Sequence, residues 1–252
     1  MASSPTEHRF ASFDGQEIAW RELGEGRPVV LIHGLFSNAD MNWLRWGTAQ
    51  TVADAGFRVI MPDLRAHGRS AAPHDPAAYP PDVLAHDMEA LVAHLGLTDF
   101  DLGGYSLGGR TTVRLLVRGM RPRRTVLAGM GLQGILGANR RFEFFLKVIA
   151  NRDTAVRGTD EWMATQFMKT TGTDPEAAAH VLRAQVPTTL EDLAQIDIPT
   201  LVVCGDEDHD NGSAADLAAV LPQATLREIP GNHMSAVTKP ELGQAIRDFL
   251  TA

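Results

Sequence analysis

The sequence predicts an α/β fold: a mainly parallel sheet of eight strands, helices on both faces, and a helical insertion late in the chain. Three observations point there. Short apolar, β-branched segments bounded by Gly, Pro or charge recur along the chain, as strands covered on both faces require. Helical patterns lie between them, and this alternation implies parallel strands joined by crossover helices. Between about Gly131 and Gln195 the alternation gives way to helical signals alone.

Taken in order, Arg9–Phe13 and Glu17–Arg21 around Asp14-Gly15 read as a hairpin at one sheet edge. Val29–Ile32, Arg58–Met61, Phe100–Gly103, Thr125–Ala128 and Thr200–Cys204 read as buried strands, with Leu226–Ile229 as a further one. The clearest helix runs from about Pro81 to Leu95. Its stripe is Leu84, Met88, Leu91, Val92 and Leu95, and Gly96 stops it. In the insertion, Asp174-Pro175 supplies an N-cap and a first-turn proline for a helix over Glu176–Gln185, and Thr188-Thr-Leu-Glu191 fits a capping box. There are no repeats, low-complexity tracts or linkers. The expected organisation is therefore one core, 1–132 and 195–252, interrupted by a helical subdomain at 133–194.

The 252 residues are 44% hydrophobic and 21% charged, an ordinary globular balance. A chain of this length buries roughly three-quarters of its unfolded surface and needs neither disulfides nor a structural metal. The single cysteine, Cys204, rules out an intramolecular disulfide and points to a reducing compartment. Met1–Arg9 has no apolar signal-like run and no stretch approaches 18 apolar residues. The expectation is a cytoplasmic protein with no membrane partner. A net charge of −8 argues against nucleic acid. Nothing in the pattern fixes an oligomeric state.

The strongest local motif is Gly104-Tyr105-Ser106-Leu107-Gly108-Gly109, directly after a predicted strand and before an apolar helix. G-x-S-x-G in that context is a nucleophile elbow, in which glycines permit close chain approach and the serine is thrust out on a strained turn. The helix N-terminus beneath it favours developing negative charge. A serine hydroxyl needs a base within hydrogen-bond reach. Of the nine histidines, His233 in Pro230-Gly-Asn-His-Met234 alone follows the last strand and precedes the last helix. Functional groups of open parallel sheets gather at such strand ends. His33 and His67, after earlier strands, read as structural. An acid must orient the base, and Cys204-Gly-Asp-Glu-Asp-His-Asp210 offers Asp206, Glu207, Asp208 and Asp210. The segment lacks the ligand spacing and glycine of a calcium loop, so no metal is expected. Gly129-Met-Gly-Leu-Gln-Gly134, with Asp153 downstream, matches a dinucleotide fingerprint. It lies mid-chain rather than opening a nucleotide-binding unit, and no cofactor is expected.

These motifs together resemble the α/β-hydrolase superfamily over nearly the whole chain. The shared features are His33-Gly34, Asp63-Leu-Arg-Ala-His-Gly-Arg-Ser70, the Ser106 elbow, Gly205-Asp-Glu-Asp208, Gly231-Asn-His233 and Pro240-Glu-Leu…Phe249-Leu250. The resemblance implies Asp208 as the acid and the backbone N–H groups of Leu35 and Leu107 as the oxyanion hole. It implies that the insertion is a helical cap over an apolar pocket, for which Phe36, Tyr105, Trp162, Phe167 and Met234 are candidates. Ala66 departs from the usual glycine, where a positive φ is less comfortable. Relatives that open epoxides or remove halide carry Asp at the elbow, so Ser106 favours acyl transfer. The expected activity is cleavage of a small, fairly apolar carboxylic ester or lactone. The same triad also serves perhydrolases and carbon–carbon bond hydrolases. A hydrolase-fold receptor would ordinarily lack a triad member or turn over very slowly.

Overall fold

A computed structural model describes residues 4–252, with backbone alone for 138–140. Residues 1–3, part of the N-terminal stretch without a signal-like run, lie outside it. The strands are β1 (Thr6–Ala11), β2 (Glu17–Leu23), β3 (Arg27–Ile32), β4 (Phe57–Pro62), β5 (Asp101–Tyr105), β6 (Thr125–Ala128), β7 (Thr200–Gly205) and β8 (Ala224–Ile229). The core helices are α1 (Thr48–Ala53), α2 (Val83–His94) and α3 (Leu107–Val117). The interval between β6 and β7 is wholly helical among its regular elements. It holds α4 (Leu132–Leu136), α5 (Ala138–Ala150), α6 (Asp160–Thr171), α7 (Pro175–Arg183) and α8 (Leu190–Ala194). Then follow α9 (Ala214–Val220) and α10 (Pro240–Thr251).

The eight strands form one sheet in the order β1-β2-β4-β3-β5-β6-β7-β8. β1 and β2 form the expected hairpin, with Phe10 opposite Ile18, and β2 runs antiparallel to β4; every other pairing is parallel. Strand alternation divides the core between the faces. Val30, Ile32, Ile60 and Leu102 pack with Leu84, Met88 and Leu91 of α2. Val29, Leu31, Val59, Val126, Leu201 and Val203 pack with Leu242, Ile246 and Leu250 of α10. A strand covered on both sides must be apolar on both, which is why Val29–Ile32 is an unbroken apolar run.

The insertion's expected helix starts sit close to their positions in the fold, with shifts of register. α7 begins at Pro175, with the Asp174 carboxylate accepting the Ala177 N–H. The capping box is Thr189 with Asp192 rather than Thr188 with Glu191. Two adjacent threonines offered either register; Thr188 is instead buried beside it. α5–α7 share an apolar cluster built from Val148, Ile149, Met168, Ala178 and Leu182 around Phe36. α4 and α8 contribute Ile135 and Leu193 to a separate cluster with Val113 and Leu116 of α3. No helix among the described residues is long and apolar enough to cross a membrane.

The chain leaves β3 for β4 on one side, then returns to β5 on the other. Such a reversal opens a crevice at the carboxyl ends of the two strands, and Gly34 and Ser106 flank it. Close approach there is enforced by glycine. A Cβ on Gly108 would lie 2.1 Å from the Ile32 carbonyl oxygen, and one on Gly104 would lie 2.2 Å from the Gly108 carbonyl carbon. Both obstacles are backbone. Gly108→Ala is therefore expected to destabilise the fold by about 3 kcal/mol, read as a lowered urea midpoint. A variant within about 0.5 kcal/mol of the parent, the range of neutral surface changes, would contradict the packing argument.

Candidate active site

β5 ends in Tyr105, and the chain turns at once into α3, leaving Ser106 at φ 53°, ψ −116°. A non-glycine residue held there stores about 1–3 kcal/mol of strain. The turn is fixed by the Ser106 N–H donating to Ala128 and the Ser106 carbonyl accepting from Arg110. β7 carries Asp208 on the loop after its end, and the loop after β8 carries His233. The His233 Nδ1–H donates to Asp208 Oδ2 at 2.8 Å, and His233 Nε2 lies 3.0 Å from Ser106 Oγ. This assigns the ring proton to Nδ1, leaving Nε2 free to accept from the serine. Burial pushes the Asp208 carboxyl up, but the hydrogen bond and charge of His233, with the Asp210 N–H, outweigh it. Its pKa lies below the ordinary value.

The acidic loop offered four carboxylates, and the geometry separates three of them. Asp206 is exposed and accepts the Gly231 N–H at 2.8 Å, bracing the loop that holds His233. Asp210 pairs with Arg141 of α5 at 2.9 Å. Asp208 alone meets the imidazole by a hydrogen bond. One ligand atom from each of Asp208, Asp210 and His233 lies within 4.8 Å of the others, and Asp208 and His233 are already joined by their own hydrogen bond.

Above Ser106 lies a cleft of about 710 Å³, lined by Gly34, Leu35, Phe36, Tyr105, Phe144, Phe145, Met163, Ala164, Phe167, His233 and Met234 among others. Of the five predicted pocket residues, Phe36, Tyr105, Phe167 and Met234 line it; Trp162 does not. α6 turns the stripe Asp160, Met163, Ala164, Phe167 to the cleft, the i, i+3, i+4, i+7 spacing of one helix face. Trp162 falls off that stripe and packs under the Arg157 guanidinium. Tyr105 also has a bracing task, since its hydroxyl donates to the His233 carbonyl at 2.7 Å. Among the described residues, no backbone hydrogen bond employs the N–H of Leu35 or Leu107. Both residues line a recess beside Ser106.

The loops beneath the site are held by the buried His33, His67 and Arg65. His33 is fully buried. Its Nδ1–H donates to the Gly34 carbonyl at 2.7 Å and its Nε2 accepts the Leu64 N–H at 2.9 Å. His67 is buried beside it and donates from Nδ1 to the Arg65 carbonyl. Arg65, also fully buried, pairs with Asp14 and Asp87. Ala66 stands at φ 69°, the left-handed conformation for which glycine is the easier residue. The fingerprint-like glycines are absorbed by packing: a Cβ on Gly131 or Gly134 would overlap Gly212 or Asn211 respectively.

Burial lowers the His33 pKa to about 4. For His67, burial together with the charge of His33 lowers it to about 3. In the unfolded chain both protonate near 6.5. Below that pH the unfolded state binds protons that the native state refuses, so stability falls as pH drops from about 6.5 toward 4. The expected loss is about 1.4 kcal/mol per pH unit for each imidazole once pH is well below 6.5. Urea unfolding at pH 7 and pH 5.5, above the ordinary carboxylate range, reads the onset. Equal stabilities at the two values would contradict neutral burial of the pair.

Comparison with known proteins agrees with this architecture. A sequence profile described as the alpha/beta hydrolase fold matches residues 27–126. A non-heme chloroperoxidase of Kitasatospora aureofaciens is 31% identical over 268 residues, covering 94% of this chain and 96% of its own. Among solved structures, a thermophilic esterase from Thermogutta terrifontis with malate bound superposes with a TM-score of 0.78 at 25% identity, covering 98% of each chain. The esterase RhEst1 from Rhodococcus sp. ECU1013 does so with a TM-score of 0.74 at 26% identity, again over 98% of each chain.

Proposed function

Since the chain belongs to the α/β-hydrolase superfamily, a family of hydrolase-fold enzymes, we propose that it is a serine hydrolase cleaving a small, fairly apolar carboxylic ester or lactone. The observation that carries the reading is the relay Asp208–His233–Ser106, with contacts of 2.8 and 3.0 Å, at the floor of an apolar cleft. Ser106 Oγ attacks the substrate carbonyl as its proton passes to His233 Nε2. Asp208 stabilises the imidazolium and holds the ring's tautomer. The N–H groups of Leu35 and Leu107 receive the oxyanion, where fixed dipoles need no reorganisation. Collapse expels the alcohol, which takes the proton from His233, and leaves an acyl group on Ser106. Water then attacks the acyl-enzyme with His233 as base, releasing the carboxylic acid and restoring the serine. The helices α5–α7 act in this reading as a cap, supplying Phe144, Phe145, Met163 and Phe167 as the apolar wall.

The likeness to a chloroperoxidase over 94% of the chain favours a second reading. In it, hydrogen peroxide replaces water in the second step and the acyl group leaves as a peracid, which oxidises halide in solution. One screen separates the two. Purified protein is offered p-nitrophenyl esters, lactones and a ring-cleavage diketone, each with and without hydrogen peroxide. The first reading expects ester or lactone hydrolysis to dominate. Halide oxidation that requires peroxide and exceeds hydrolysis would favour the second, and turnover of the diketone alone would overturn both.

A further inference from the structure

Arg110 stands one helical turn beyond Ser106 and donates its N–H to the Ser106 carbonyl at 3.0 Å. Helical side chains lean toward the N-terminus, so Arg110 leans toward the serine. Its residue is 2% exposed, yet among the described residues no carboxylate forms an ion pair with it. The other deeply buried arginine, Arg65, has two such partners, and Arg114, one turn further along α3, has Asp82. Arg110 Nη1 and Nη2 are spent on the main-chain carbonyls of Gly134, Ile135 and Val186, while its buried Nε donates to nothing among the described residues.

A buried cation without a counter-ion is costly, and buried charges are ordinarily paired. Burial, with the charge of Arg114, pulls the Arg110 pKa down to about 10, still a cation at neutral pH. The space beside it is small: a recess of about 30 Å³ shared by Ser106, Leu107, Leu35, Arg110 and Arg141. That volume admits roughly two water-sized groups, the size of a carboxylate head. Arg141 brings a second guanidinium, tethered by Asp210 at the rim.

We infer that this recess is a carboxylate subsite, in which the unpaired positive charge of Arg110 attracts an acid group on the substrate and Arg141 adds a second positive charge. The inference rests on Ser106 as the nucleophile and narrows the substrate class to esters or lactones that carry a carboxylate. Ser106 and Arg110 line the same small recess, so the acid group sits a short spacer from the scissile carbonyl, as in a succinate hemiester. The surrounding apolar residues, Leu182, Phe142 and Met130, then cover the spacer and exclude water, which strengthens the ion pair.

The test compares mono-(4-nitrophenyl) succinate with the neutral 4-nitrophenyl pentanoate as substrates. The parent protein is expected to prefer the hemiester about tenfold or more in kcat/KM. That ratio should fall about tenfold in Arg110→Met, less in Arg110→Lys, and several-fold in Arg141→Gln, whose side chain is partly exposed. Free succinate should inhibit the parent competitively, and less so in Arg141→Gln. Equal kcat/KM for both esters in the parent, or the parental ratio kept in both Arg110→Lys and Arg141→Gln, overturns the subsite while leaving ester hydrolysis standing. No turnover of either ester, with Ser106 inert to a fluorophosphonate, removes the acyl-transfer reading itself and the subsite with it.

Discussion

Ser106→Ala is expected to lower kcat for ester hydrolysis by roughly five to six orders of magnitude. What remains should be about 10³–10⁴ over the uncatalysed rate, because the Leu35 and Leu107 N–H groups and the cleft still bind the reacting carbonyl. The loss is large because in the proposed mechanism every covalent step passes through Oγ, which lies 3.0 Å from His233 Nε2. The substitution should also relieve little strain, since alanine is no more comfortable than serine at φ 53°. Folding stability should therefore hold within about 1 kcal/mol, which separates loss of chemistry from loss of structure. A variant retaining a tenth of parental kcat would remove Ser106 from the mechanism.

The second large effect falls on Asp208. Asparagine fits the same space but can present its amide N–H₂ to His233 Nδ1. That drives the ring proton to Nε2, where it faces Ser106 and can no longer accept the serine proton. An acid replaced in this way costs roughly 10⁴-fold in kcat with the geometry preserved. Its two neighbours provide the contrast. Asp206→Asn keeps an oxygen for the Gly231 N–H, and Asp210→Asn loosens only the ion pair to Arg141. Each should cost less than about tenfold, in line with the modest worth of exposed pairs. Steady-state kinetics on the three variants decides the matter. A larger loss in Asp206→Asn or Asp210→Asn than in Asp208→Asn would reassign the acid.

The sheet was legible because its constraints are local. A strand buried on both faces must be an apolar run, and Val29–Ile32 and Thr200–Cys204 satisfy that without reference to the rest of the chain. The elbow was legible for a similar reason: Gly104 and Gly108 answer a backbone contact that no other residue permits. The candidate acid was harder to single out. Asp206, Asp208 and Asp210 share a loop and a chemistry, and only the path of the chain after Gly205 turns one of them toward the imidazole. Trp162 was misplaced among the pocket residues because a helix shows its apolar residues in sequence but not the azimuth at which it docks. Arg110 gave no signal at all. A single arginine on an amphipathic helix reads as a solvated charge until the insertion folds over it, and the missing counter-ion is visible only then. His33 and His67 read as structural in the sequence, but their burial together depends on loops separated by some thirty residues.

The proposed chemistry depends on an acyl group passing through Ser106. Its most direct test is to expose the protein to a fluorophosphonate, then follow intact mass and map the modified peptide. The expected result is one adduct per chain, on Ser106, formed in step with the loss of p-nitrophenyl ester turnover and greatly slowed in His233→Ala. Full ester turnover in protein carrying the adduct, or an adduct mapped to another residue as activity is lost, would contradict it.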